Sequence, residues 1–243
     1  MNEAFPLTRW SMVAAVRNGG DSAVSRTALA ELCRLYWYPL YSFARATGLS
    51  PEDAEDRTQD FFATLLDLNL LAGADPNIGR LRSFLLTAFK HDLADADRRA
   101  KTLRRGGAID KLPLEEAEAR LQAELIDGGS APDAAYDLRW AIAVLDGAVE
   151  RLRSDFTAGG KADLFAALRP FLSGETDPTA AYDALCRNHG MTREAARQAV
   201  HRLRERFRAA LRMHVADTLI QADDDAIDQE IAALQAALAG KAW

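Results

Sequence analysis

The sequence predicts an all-α protein, with two small helical domains joined by a flexible acidic linker, a helix-turn-helix in the second domain, and a C-terminal helical extension. Three observations carry this. The composition is rich in Ala, Leu and Arg, with 49% hydrophobic and 27% charged residues, and such side chains lose little freedom in a helix. Apolar residues recur at helical spacing, with no strand-like alternation and no internal repeat. Gly, Pro and acidic residues gather between residues 106 and 134, where a domain boundary is expected, and 243 residues suffice for a core on each side of it.

The first helix is marked by Leu29, Leu32, Tyr36, Leu40 and Phe43, and the chain breaks at Gly48-Leu49-Ser50-Pro51. Ser50 is a natural N-cap and Pro51 fits the first helical position. Glu52, Asp53, Glu55 and Asp56 favour the positive end of the helix dipole, so a second helix should run to about Leu68. A loop with Gly73, Pro76 and Gly79 follows. The next helix, about Leu81 to Leu103, sets Leu81, Leu85, Ala88, Phe89, Leu93 and Ala96 on one side and Arg82, Lys90, His91, Arg98 and Arg99 largely on the other. It ends at Gly106-Gly107. Within the linker, Leu114 to Leu125 has the length for a short helix. Further helices are expected at about 138–153, 161–172 and 178–188, and Gly190-Met191-Thr192 opens the longest basic helix. In the last 30 residues, Ile227, Ile231, Leu234 and Leu238 form another apolar stripe.

A formal net charge of -6 looks wrong for a nucleic-acid binder, because DNA affinity comes largely from Lys and Arg on phosphates. The distribution reverses that impression. Arg80 to Arg105 holds eight Lys/Arg against three Asp, and Gly190 to His214 holds seven Arg against two Glu. The balancing acid lies in Lys111 to Asp137 and in the tail from His214. Cys33 and Cys186 are too few to imply a disulfide framework, no signal peptide is seen, and no apolar run approaches the roughly 18 residues of a membrane span. A cytoplasmic protein without membrane contact is expected.

The most informative segment is residues 180–212. It reads as a short amphipathic helix, a tight turn at Gly190, Met191 as a buried turn residue, and Thr192 capping a second helix. Ala195, Ala196, Ala199, Val200, Leu203 and Phe207 form its packing face. That leaves Arg193, Glu194, Arg197, Gln198, His201, Arg202 and Arg204 for solvent or DNA, where Arg pairs with guanine and Gln with adenine. Arg197 and Gln198 are the expected base readers, with Arg204 and Arg208 on phosphates further along.

This segment resembles, without a gap, the promoter-reading helix-turn-helix of the extracytoplasmic-function (ECF) subfamily of RNA polymerase sigma factors, matched at Gly190, Met191, Thr192, Arg197, Arg202, Arg204 and Arg206. A second stretch, Pro51 to Asp56 with Gln59, Asp60 and Phe62, is similar to the family's helix that grips the polymerase clamp. A third, Arg82, Phe84, Leu85, Asp95, Arg98 and Arg99, resembles the part that recognises and melts the minus-ten element; the sequence departs from the family at Phe84, where Trp is usual, and at His91, where Asn is common. The opening Phe5 to Ser11, the aromatic phrase Leu35 to Tyr41 and the tail resemble a subgroup with a short C-terminal extension, so the similarity covers nearly the whole chain.

The resemblance implies a non-enzymatic transcription initiation factor without cofactor or metal. Residues 1–105 would form a sigma region two-like domain, with Asp53, Asp56, Gln59 and Phe62 on core RNA polymerase and Arg82, Phe84, Lys90, His91, Arg98 and Arg99 on the melted minus-ten strand. Residues 106–134 would be a linker threading toward the RNA exit path, where Glu115, Glu116 and Glu118 would mimic RNA. Residues 135–213 would form a sigma region four-like domain placing Thr192, Arg193, Arg197, Gln198, His201, Arg202 and Arg204 on double-stranded promoter DNA at the minus-thirty-five element and binding the polymerase flap. Residues 214–243 would be the extension. An anti-sigma or other regulatory protein is a further partner the resemblance allows.

Other function classes are weaker. The acids at 52–60 crowd one helix start, where the dipole accounts for them without catalysis. Cys186 and His189 lack a second ligand pair for zinc. Trp10, Trp37, Tyr36 and Tyr41 suit base stacking, but aromatic residues at helical spacing are more often core. A helix-turn-helix repressor and a non-DNA-binding regulatory adaptor are the alternatives; a repressor should bind a palindrome as a dimer without polymerase. For the tail, the expectation is an acidic helix start, Asp223, Asp224, Asp225 and Asp228, that screens the arginines of the DNA-reading helix, against the simpler reading of added core.

Overall fold

The computed structural model describes residues 22–67, 80–99, 117, 131–173, 178–219 and 222–239. Helices hold 88% of the described residues and no strand occurs among them, so the all-α class is correct. The chain divides into two compact units: Met1–Ala141 with Ala216–Ala237, and Ile142–Val215 with Leu238–Trp243. No described helix is long and apolar enough to cross a membrane.

In the first unit, α1 (Ser22–Ala46) is buried on all sides from Leu35 to Ala44. A helix with apolar residues all round has no solvent face and must be central. Trp37 stacks on Tyr41 with ring centroids 5.1 Å apart, and Tyr36 and Tyr41 are fully buried, so these aromatics belong to the core. The helix ends in a Schellman turn: Gly48, at φ 96°, donates to Arg45 O while Leu49 donates to Ala44 O.

The second helix, α2 (Pro51–Asp67), begins as expected. The Asp53 amide donates to Ser50 Oγ at 3.1 Å, and the Ser50 hydroxyl donates to the Asp53 carboxylate at 2.9 Å. The third, α3 (Leu81–Arg99), buries Leu81, Leu85 and Phe89 against the others. Phe89 meets Phe43 and Phe61 edge-on at 6.1 and 5.1 Å, the geometry that ring quadrupoles favour.

Helix α4 (Pro132–Ala158) starts six residues before the expected position, and the division between the units falls inside it. Its first turns belong to the core of the first unit, with Tyr136 and Trp140 fully buried. Pro132 suits a first helical turn and Asp133 the positive dipole end, a start signal hidden by its acidic surroundings. Of the linker expected at 106–134, only Ala117, which is helical and buried, and residues 131–134, the last three of them in α4, are among the described residues.

The second unit packs Leu152, Phe156, Phe165, Leu168, Phe171, Leu185, Ala196, Val200 and Leu203 into one cluster. The helix expected at 161–172 is two, α5 (Ala162–Leu168) and α6 (Pro170–Ser173), because Pro170 has no N–H to continue the ladder. Then come α7 (Pro178–His189) and α8 (Arg193–Ala216). The tail helix α9 (Asp224–Leu238) returns to the first unit for all but its last residue.

Candidate nucleic-acid interface

Between α7 and α8 the chain turns in three residues. Gly190 sits at φ 61°, a conformation that costs a Cβ-bearing residue energy, and the Met191 amide donates back to Cys186 O at 3.2 Å. Thr192 Oγ1 accepts the Ala195 amide at 3.2 Å, capping α8. Met191 is half-buried rather than fully so. Ala196, Ala199, Val200 and Leu203 point into the core, while Ala195 and Phe207 lie at its margin.

Opposite that face, Arg193, Arg197, Gln198, His201, Arg202 and Arg204 are all exposed. Steps of one, three and one put 197, 198, 201 and 202 on one strip of the helix. The cations differ in their commitments. Arg193 pairs with Asp183 of α7 at 2.7 Å and so staples the two helices. Arg204 directs Nε and Nη2 at the Phe171 carbonyl, 3.3 and 3.1 Å away. Its guanidinium is therefore tied to the second unit's own backbone instead of reaching out as expected for a phosphate anchor. His201 lies 3.3 Å from Glu205, and Arg197 only 4.0 Å from Glu194, a loose contact.

On α2, Asp53 and Asp56 are exposed and Gln59 is half-exposed. Asp53 is also half of the Ser50 cap. Phe62 is different: it is 0% exposed and meets Phe61 edge-on at 5.7 Å. Its side chain is a core element, so the expected contact surface on α2 reduces to Asp53, Asp56 and Gln59. Nearby, burial pushes the Asp60 carboxyl up, Arg57 pulls it back and Asp56 adds to the rise.

On α3 two of the expected DNA contacts, Arg82 and Lys90, are engaged by protein carboxylates. Arg82 is 12% exposed; its Nε is 2.6 Å from Glu230 Oε1, and its Nη1 meets Asp137. The guanidinium also lies over the Trp140 ring, 4.6 Å from the centroid. Burial alone would lower its pKa, but Glu230, by charge and by hydrogen bond, and then Asp137 outweigh that and raise it. Glu230 itself is 1% exposed and has Arg80 Nε 2.9 Å from its other oxygen, an ion pair without hydrogen-bond alignment. Lys90 pairs with Asp133 at 2.7 Å. Phe84 is half-buried and His91 exposed, while the side chains of Arg98 and Arg99 lie outside the described residues.

Glu230, Asp133 and Asp137 are the residues that sequence reasoning missed. The signal for Glu230 was its register, three after Ile227 and four before Leu234, which sets a carboxylate on the apolar stripe. A carboxylate there is buried on docking and requires a cation. Searches against protein-family models, curated proteins and solved structures find no match for this chain.

Proposed function

We propose that this chain is a transcription initiation factor of the ECF sigma kind, which binds core RNA polymerase through α2 and reads duplex promoter DNA with α8. One observation carries the reading. Beyond a tight glycine turn and a threonine cap, α8 buries its alanine and aliphatic face and offers Arg197, Gln198, His201 and Arg202 as one outward strip. Arg and Gln on one helical strip match the acceptor and donor pattern of guanine and adenine in a major groove. The motif order, acidic α2 first and basic α8 last, is that of the resemblance. The finer assignments, minus-ten contact by α3 and minus-thirty-five contact by α8, belong to the same proposal.

The test is capture of bacterial core polymerase by the purified chain, followed by transcription from a promoter library. Core capture and chain-dependent transcripts are expected, and Asp56→Lys with Gln59→Ala should weaken capture at least about tenfold while circular dichroism stays unchanged, since reversing one interfacial charge changes affinity by this order. Unaltered capture by that folded variant removes the α2 assignment. Tight binding to a palindrome with no affinity for core would identify a repressor instead.

A further inference from the structure

The basic face of α3 is covered by the chain's own carboxylates, and three separate contacts bring them there. Residue Leu219, just before the tail helix, forms an antiparallel backbone bridge with Arg80 at the start of α3. Eleven residues on, Glu230 reaches Arg80 and Arg82. From the other side, the start of α4 runs antiparallel to α3, so Asp133 meets Lys90 and Asp137 meets Arg82, with the Tyr136 hydroxyl donating to the Arg82 carbonyl at 3.0 Å.

The three cations Arg80, Arg82 and Lys90 all face acids carried by α4 and α9. Carboxylates spaced along a basic helix offer it what a phosphate backbone offers: successive anionic oxygens accepting charge-assisted hydrogen bonds. The attachment of α9 is slender. Of its 15 residues only Ile227, Glu230 and Leu234 are buried, and an isolated helix of that length is marginal in water. A competing anion would have to displace those three side chains and the partly buried margin beside them, Ile231 and Ala233 included.

We propose that α9 and the start of α4 form an internal anionic cover on α3, which competes with a single nucleic-acid strand for Arg80, Arg82 and Lys90. This rests on the reading of α3 as a nucleic-acid face. In the covered state these three cations are held by carboxylates while the α8 strip is exposed, so duplex binding and single-strand binding are separately controlled. Through Glu230 the tail helix therefore acts on α3.

The experiment is fluorescence anisotropy of a labelled mixed-sequence single-stranded 30-mer with the full chain. Glu230→Gln should tighten binding about five- to tenfold at low salt and steepen the salt dependence by about one power, because Arg80 loses its carboxylate partner and Arg82 keeps only Asp137. Adding Arg80→Ala together with Arg82→Ala should abolish the gain. Asp133→Asn, at a solvent-exposed pair that does not threaten the fold, should give about a two- to threefold gain, abolished by Lys90→Ala; this arm decides the matter if Glu230→Gln does not fold. Unchanged affinity in a folded Glu230→Gln protein, or in Asp133→Asn where that arm decides, overturns the cover. A parallel titration with duplex DNA separates the two readings. If duplex binding depends on Arg197 and Arg202 and no single-strand gain appears, only the cover fails; if no variant binds either probe, the nucleic-acid reading fails with it.

Discussion

Cys33 shows how one side chain reports its surroundings. It is 2% exposed, and burial pushes its thiol from 9.0 up to about 12. The folded chain thus holds this proton more tightly than the unfolded chain does. Its contribution to stability is complete below about pH 9 and is lost as pH climbs towards 12. Urea denaturation at pH 8 and pH 10.5 should show a smaller alkaline loss for Cys33→Ala than for the natural chain, with equal alkaline slopes counting against the assignment. Residue-scale burial of this kind was partly legible in the sequence. Tyr36, Leu40 and Phe43 fall where their spacing puts them, yet Phe62, whose motif position points to a contact surface, is buried beside Phe61. Two adjacent aromatics point about 100° apart on a helix, and here a central α1 lets both be buried. Nothing in α2 alone discloses that a neighbouring helix is apolar all round.

Between elements, the contact of α4 with α8 depends on a missing methyl group. An ideal Cβ on Gly147 would lie 2.5 Å from His214 Nε2 and 2.6 Å from Cε1, closer than real atoms approach. Glycine within a helix ordinarily costs about 1 kcal/mol relative to alanine, so Gly147→Ala at a permissive site would be stabilising. Here overpacking against a ring that is 8% exposed wins, and the substitution should instead destabilise by about 1–3 kcal/mol. In a His214→Ala background the same change should become neutral or favourable. A double-mutant cycle by urea denaturation measures the coupling, and additive effects would show that the ring moves aside freely. The helices themselves were legible from caps and breakers: Ser50 with Pro51, Gly190 with Thr192, and Gly48 all act as the sequence indicated. The early start of α4 was not, because the acids at 133 and 137 read as linker charge until Lys90 and Arg82 are seen to face them. Local pattern gives the period of a helix, whereas pairing across 40 to 150 residues is set by tertiary structure.

For the chain as a whole, the net charge of -6 is a poor guide to what α8 can bind, because association follows local cation density and exposed charges more than about a Debye length apart are screened. The block from Gly190 to His214 has seven arginines, but the structure separates them by commitment. Arg193 is bound to Asp183, Arg204 to the Phe171 carbonyl, Arg206 lies over the Phe156 ring at 5.5 Å, and Arg212 is half-buried and engaged within the chain. Arg197, Arg202 and Arg208 are exposed and not tied in this way. With Arg197 reading bases, two phosphates neutralised by Arg202 and Arg208 should give a plot of log affinity for duplex DNA against log salt with a slope of about -2. A count taken from sequence alone would have put it at about -6. Arg202→Ala and Arg208→Ala should each flatten the slope by about one, whereas Arg204→Ala should leave it nearly unchanged and lower the denaturation midpoint, since it leaves the Phe171 carbonyl without that donor. Anisotropy titrations between 50 and 300 mM salt, paired with thermal melts, measure both quantities. Equal flattening by Arg202→Ala and Arg204→Ala, with unaltered melting of the latter, would mean that the Arg204 contact gives way to phosphate on binding and that the division between committed and available arginines does not govern recognition.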